Sequence, residues 1–233
     1  MSIATLEPRA ILPRPYYEHA GVTIYHADCR DVLPLVSADV VVTDPPYGVS
    51  FSGKSTKHTG SDGVGYSILD DSPGYVSEVV VQVVNDCIRH VGRVVLTPGT
   101  RSMFRYPEPN GVGAIFFPSG AGFGRWGFTC SQPIFYYGKD PYLAKGLGMR
   151  PDSFSTTVSA EKNGHPCPKP LSVMLWLVNK ASLEGECVLD PFMGSGTTLH
   201  AAKELGRRAI GIEIEERYCE IAANRLSQEV LAL

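Results

Sequence analysis

With 233 residues, 43% hydrophobic and 19% charged, the chain is long enough for one sizeable α/β core and short for two, so a single domain over 1–233 is expected. Its longest aliphatic stretches, Val79 to Val84 and Val173 to Val178, fall far below the roughly 18 to 20 apolar residues of a membrane span, and Met1-Ser2-Ile3-Ala4 does not read as a secretory leader, which points to the cytoplasm. Six scattered cysteines without a C-x-x-C pair argue against a zinc site and a disulfide framework, and a net charge of −3 argues against a uniformly basic coat for nucleic acid.

Val22 to His26 reads as a strand, Arg30 to Val36 as a short helix, and Val40 to Thr43 as a fully apolar strand ending at Asp44. Ser72-Pro73 is a helix cap followed by proline at the first helical position. Val76, Val79, Val80, Val83, Val84, Cys87, Ile88 and Val91 then recur at helical spacing and lay that helix on the sheet. Val94 to Leu96, Ala114 to Phe117 and Pro133 to Tyr137 read as strands separated by Gly- and Pro-rich loops. Pro170 to Ala181 is helical, Cys187 to Leu189 a strand, Thr197 to Leu205 a helix, Ala209 to Ile212 a strand and Arg217 to Glu229 a final helix. The alternation predicts an α/β fold with a doubly wound, mostly parallel sheet.

The charge is unevenly distributed. Between Arg101 and Arg150 six basic residues face two acids, a net charge of +4, which leaves −7 for the rest. That pattern fits either one basic face on an acidic protein or a solvated loop region. Phe123 to Trp126 reads either as a partner-contacting element with Arg101, Arg105 and Arg125 or as a glycine-rich loop around a buried tryptophan.

Two segments that follow apolar strands carry the chemistry, because the carboxyl ends of strands are where open α/β sheets place ligands. The later one is Asp190-Pro191-Phe192-Met193-Gly194-Ser195-Gly196-Thr197-Thr198. A glycine turn between strand and helix lets the backbone approach a ligand and leaves helix N–H groups for a negatively charged one. Lysine is absent after Gly196, where a nucleotide phosphate loop requires it. Glu213, near the end of the next strand, lies close to the offset at which such folds hold ribose hydroxyls, so the ligand is expected to contain a ribose.

The earlier segment is Asp44-Pro45-Pro46-Tyr47. The Asp44 carboxylate and the Pro45 carbonyl form two acceptors for one exocyclic NH2 group, which favours a tetrahedral nitrogen with its lone pair aimed at an electrophile. The prolines fix φ and offer no N–H, so the turn is stiff and presents acceptors only. Tyr47 adds a ring for stacking on a flat heterocycle. A base inside a duplex cannot enter such a pocket, so the target nucleotide must swing out.

The order of these segments, with Gly211-Ile212-Glu213 and Tyr218 after the second and His165-Pro166-Cys167-Pro168-Lys169-Pro170 before it, resembles the amino-group DNA methyltransferases of the β arrangement. His26-Ala27-Asp28 stands where that family has a G-D element, with alanine for glycine. The resemblance covers about residues 20 to 55 and 163 to 228. It implies a Rossmann-like fold that uses S-adenosylmethionine, with about 101–164 as an inserted target-recognition region. It also implies catalytic roles for Asp44, Pro45, Pro46 and Tyr47. Cofactor contacts would come from Asp28, Lys169, Asp190, Phe192, Gly194, Ser195, Gly196, Thr197 and Glu213, with no metal.

Cys167 is structural in this reading, and no covalent intermediate is expected. The implied reaction is methyl transfer to adenine N6 in double-stranded DNA. N4-cytosine methylation, an RNA or protein amine as acceptor, and an inactive DNA-binding regulator remain as alternatives. A short recognition region suggests a brief site or a second subunit, as in a homodimer, and a companion restriction endonuclease fits the same setting. The loop from Ser52 to Gly65, with Lys54, Lys57 and His58, is expected to close over the flipped base.

Overall fold

A computed structural model describes residues 11–49, 71–120, 122–159 and 169–228. The strands, in chain order, are β1 (Tyr17–His19), β2 (Val22–His26), β3 (Val40–Thr43), β4 (Val94–Leu96), β5 (Gly111–Phe116), β6 (Phe123–Gly124), β7 (Gly127–Phe128), β8 (Ser131–Tyr137), β9 (Phe154–Ser155), β10 (Cys187–Asp190) and β11 (Arg208–Glu213). The helices are α1 (Cys29–Val32), α2 (Pro73–Tyr75), α3 (Val81–His90), α4 (Pro141–Ala144), α5 (Leu171–Ala181), α6 (Thr197–Glu204) and α7 (Glu216–Ser227).

Among the described residues, nine strands form one sheet in the order β1-β2-β11-β10-β3-β4-β8-β5-β9. Its centre, β2 through β4, is parallel, and antiparallel pairs flank it at β1–β2, β4–β8 and β8–β5. The expected doubly wound sheet is therefore present with mixed flanks. Alternation along the strands divides the core between two faces. Val40, Val42 and Val188 pack on one side with α5, α6 and α7, whereas Val41, Leu189, Val94 and Leu96 pack on the other with α1 and α3. Strands buried on both faces have no polar side, which is why Val40 to Thr43 reads as a continuous apolar run.

Ser72 caps the helix after β3 as expected, accepting from Tyr75 N–H at 3.1 Å. Val76–Val80 then forms a π segment between α2 and α3, so the valine spacing spans a helix with a bulge. The expected helix from Arg30 to Val36 is instead one α turn continued as a 3-10 turn over Leu33–Leu35, where Pro34 removes a donor. The region 101–164 contributes β5, β8 and β9 to the main sheet. Strand β1, the β6–β7 hairpin, α4 and β9 are too short to carry a periodic signal and were not expected.

The chain leaves β3 for β4 through α3 on one face and leaves β10 for β11 through α6 on the other. Adjacent β3 and β10 therefore mark the switch point, where an open sheet develops a crevice at its strand carboxyl ends. Parallel register puts Asp44, Thr97, Asp190 and Glu213 along one edge.

Candidate functional site

A cavity of about 220 Å³ opens along that edge, lined from the first segment by Asp44 to Tyr47 and from the second by Asp190 to Ser195 and Thr197. Asp28, Lys169 and Glu213 also line it. Among the sequence-predicted site residues, only Gly196 is not in the lining. It supports the loop from behind with φ +77°, where an added Cβ would meet the Ala222 Cβ at 2.7 Å.

Asp190 is buried at the end of β10. Thr43 Oγ1 donates to its Oδ1 at 2.6 Å and Phe192 N–H to the same oxygen at 3.1 Å. Burial pushes its carboxyl up to about 6, against the lowering pull of the hydrogen bonds from Thr198, Thr43 and Phe192. Glu213 accepts from Gly194 N–H on Oε2 at 3.0 Å and from Glu215 N–H on Oε1 at 2.9 Å. Burial raises this carboxyl, too, to about 6. The glycine loop thus differs from the sequence expectation of free N–H groups for an anion. Gly194 N–H is taken by Glu213, and Gly196 N–H bonds Met193 O at 2.9 Å. Anion binding needs unspent donors, and two of the loop's donors are spent internally.

Asp28 caps α1, accepting from Arg30 N–H at 2.9 Å, and the hydrogen-bonded Arg30 guanidinium holds its carboxyl below the usual range. The Asp44 carboxylate accepts on Oδ1 from the Tyr47 and Thr97 hydroxyls. Lys169, just before α5, donates to Asp44 Oδ2 and to the Tyr47 hydroxyl oxygen, each at 2.6 Å. Burial and the neighbouring Asp44 push the Tyr47 phenol above its ordinary range.

Sequence reasoning missed several supports of this geometry. Thr97 reaches Asp44 from the end of β4. Ser102 Oγ donates to Tyr47 O, and Asp71 accepts from Gly48 N–H at 2.7 Å and Val49 N–H at 3.2 Å. The polar break Thr97-Pro98-Gly99 after Val94 to Leu96 is the only one of these with a local signal, since it mirrors Thr43-Asp44-Pro45. His165, Pro166, Cys167, Pro168 and the loop from Ser52 to Gly65 lie outside the described residues.

In the middle region, Trp126 is fully exposed, which decides against the buried-tryptophan alternative. It sits with Arg125 at the two-residue tip of the β6–β7 hairpin, whose base is the Phe123–Phe128 ring pair at 4.9 Å. Arg105 donates to Pro73 O at 3.0 Å, and Arg150 to Asn179 O at 2.8 Å and Lys180 O at 2.6 Å. Both spend donors on backbone carbonyls, so the +4 of this region overstates the charge offered to a partner.

The cavity gathers Asp28, Asp44, Asp71, Asp190, Glu213 and Glu215, and Lys169 is the only cation among the described residues that line it. Two of the acids are held near 6 by burial, and Tyr75, Phe192, Met193 and Ile212 supply apolar walls. An acidic, partly apolar cavity suits a cationic ligand with an apolar body.

A family model described as DNA methylase matches residues 126–224. That match and the type II methyltransferases similar to this chain support an amino-group DNA methyltransferase. The type II methyltransferase M.ScaI of Streptomyces caespitosus is 25% identical over 95% of this chain and 86% of its own length. M.HindIII of Haemophilus influenzae is 49% identical over 71 residues, which are 30% of this chain and 23% of that protein. The crystal structure of an M1.HpyAVI-SAM complex matches with a TM-score of 0.60 at 19% identity, covering 89% of this chain and all of that one. The PvuII cytosine-N4-specific DNA methyltransferase matches with a TM-score of 0.63 at 15% identity, covering 94% and 90%.

Within this site, the placement of Tyr47 depends on Gly99. A Cβ at Gly99 would approach the Tyr47 ring to 2.7 Å, at a φ of +68°. The Gly99→Ala variant should lose about 1 to 3 kcal/mol of stability in chemical denaturation and show a displaced Tyr47 ring in a crystal structure. A variant with native stability and an unmoved ring would contradict this dependence.

Proposed function

We propose that this protein moves a methyl group from S-adenosylmethionine to the exocyclic N6 amine of an adenine swung out of double-stranded DNA. The observation that carries the reading is the position of Asp44 and Tyr47 on the same cavity as Asp190, the glycine loop and Glu213. An amine acceptor and a cofactor cradle then share one space, as an in-line displacement requires.

The site fits the cofactor by its chemistry. Glu213 is the acceptor for ribose hydroxyls. Asp28 lies at the adenine edge, and Asp190, Phe192, Gly194, Ser195 and Thr197 surround the methionine part, supported by Gly196. When bound, S-adenosylmethionine supplies an electrophilic methyl on a sulfonium. Asp44 and the Pro45 carbonyl take the two N–H groups of the target amine and turn its lone pair toward that methyl, while Pro46 stiffens the turn. A nitrogen–carbon bond forms, the carbon–sulfur electron pair stays on sulfur, and the nitrogen then gives up a proton, for which Asp44 is an acceptor already in contact. Tyr47 supplies the stacking ring for the base, and orientation in a partly desolvated cavity provides most of the acceleration.

In the family this chain resembles, aspartate at the head of the turn leans towards adenine N6 and serine towards cytosine N4, and Asp44 supports adenine on that ground. The hairpin tip carrying Arg125 and Trp126 and the exposed Arg101 support a DNA contact within 101–164, with Trp126 available for stacking and the arginines for phosphates. The type II designation of the relatives supports a restriction–modification setting with a cognate endonuclease, and the short middle region supports a brief site or a second subunit. No helix among the described residues is long and apolar enough to cross a membrane.

The deciding experiment is incubation with labelled S-adenosylmethionine and unmethylated DNA, digestion to nucleosides and mass spectrometry. N6-methyladenine is expected; N4-methylcytosine would move the target, and no labelled nucleoside would overturn the reading. Asp44→Ala should reduce transfer at least about 100-fold with cofactor affinity nearly unchanged, measured by single-turnover kinetics and calorimetry. Cofactor affinity should fall between pH 7 and pH 5, because Glu213 and Asp190 lose their charge as pH drops through about 6. Glu213→Gln should lower the affinity and flatten that pH dependence, and an unaltered titration would remove Glu213 from the ribose. Arg125→Ala should weaken DNA binding and lower the slope of log K against log salt by about 0.9 for each phosphate it had neutralised, whereas an unchanged slope would place the DNA face elsewhere.

A further inference from the structure

The sequence groups Lys169 with the cofactor residues, but its hydrogen bonds point to a different task. A carboxylate offers about four lone-pair directions. On Asp44, Oδ1 is taken by the Tyr47 and Thr97 hydroxyls and one direction of Oδ2 by the Lys169 ammonium, leaving a single direction on Oδ2 for an incoming N–H. The same ammonium donates to the Tyr47 hydroxyl oxygen, so one cation fixes both the acceptor and the stacking ring. It reaches them from a position 125 residues further along the chain and is itself only 10% exposed. A cation in this place also repels a sulfonium, so it gains more by pairing with Asp44 than by touching the cofactor.

We propose that Lys169 is the positioning residue that keeps Asp44 ionised and restricts the carboxylate to one direction for the target amine. This inference rests on the reading of Asp44 as the amine acceptor. Among the described residues, the groups that face Asp44 are Tyr47 on its own turn, Thr97 beyond β4, Lys169 before α5, Asp190 at the end of β10, and Tyr106 beyond the 3-10 turn Met103–Arg105. Only Lys169 among them is cationic. Asp190 is a like-charged neighbour of Asp44, and the Lys169 ammonium, 2.6 Å from Asp44, is the cation set against that pair. A neutral carboxyl is a weaker acceptor and carries a proton that competes with the amine. Burial works against the Lys169 charge, but Asp44 and Tyr47 together hold it above the ordinary lysine range, consistent with a permanent cation.

Two measurements test the inference. In the DNA-free protein, carboxyl carbon NMR, assigned with Asp44→Asn, follows the titration of Asp44. The Lys169→Met variant should move its midpoint up, and Lys169→Arg should leave it near the wild-type value. In single-turnover transfer at saturating DNA and cofactor, Lys169→Met should be about 100-fold slower at pH 7. Its acidic limb should be shifted upward, part of its rate should return at pH 9, and its cofactor affinity should stay within about threefold, the spread expected of a residue that does not touch the ligand.

An unmoved Asp44 midpoint overturns the proposal, as does a collapsed cofactor affinity with a normal rate, which would return Lys169 to the cofactor. Should Lys169→Met fail to fold, Lys169→Gln is read in the same NMR titration, with the same two outcomes. A wild-type protein that shows the Asp44–Lys169 coupling by NMR but transfers no methyl to DNA would instead refute the proposed function.

Discussion

The parallel pairing of β3 with β10 is the interaction on which the site depends. These strands lie nearly 150 residues apart in sequence, yet Val40 and Val41 register against Val188 and Leu189, and the strands end within one residue of each other. The hydrogen bond from Thr43 Oγ1 to Asp190 Oδ1, across 147 residues, closes the pair at its carboxyl end. Such a bond to a buried carboxylate contributes on the order of 1.5 to 3 kcal/mol. It also sets Asp44, the next residue, beside the glycine-loop segment. Because the sheet is wound in opposite senses on either side of this pair, the chain diverges there and leaves a crevice instead of filling it.

The crevice then acquires its character from what is buried in it. Four carboxylates at strand ends or in the turns that follow, Asp28, Asp44, Asp190 and Glu213, would repel one another in a low dielectric if left uncompensated. Each is answered differently: Arg30 pairs with Asp28 and Lys169 with Asp44, backbone N–H groups hold Glu213, and hydroxyls with one N–H hold Asp190. Two carry full partner charges, and the other two are pushed up to about 6. Along the strand order β2-β11-β10-β3 the two paired carboxylates, Asp28 and Asp44, flank Glu213 and Asp190, so the acidity without a cationic partner lies in the middle of the cavity, where it suits a positive ligand.

The glycine loop shows how a familiar sequence pattern acquires its local meaning. Read alone, Gly194-Ser195-Gly196 before a helix suggests exposed N–H groups. In the folded chain, Glu213 and Met193 accept from Gly194 and Gly196, while Arg225 of α7 holds Ser195 O at 3.2 Å and Thr197 Oγ1 at 3.3 Å. The loop is shaped by neighbours from β11 and α7, and its contribution is close backbone approach, with little left for an anion.

The amino-acid sequence by itself determined the central strands, the long helices and the two strand-end segments. Those rest on local signals: apolar runs, a proline after a serine cap, and glycines where the backbone must turn. Val40 to Thr43 and Val94 to Leu96 coincide with the observed strands residue for residue, because burial on both faces imposes composition directly. The partner of each functional side chain was decided only by the tertiary structure. Thr97 behind Asp44, Asp71 beneath Gly48, Lys169 on Asp44 and Tyr47, and the full exposure of Trp126 all follow from strand order and from segments that meet across more than twenty residues or project from the sheet. A hydrogen bond between residues 44 and 169 leaves no periodicity or composition in the intervening chain, so nothing local announces it.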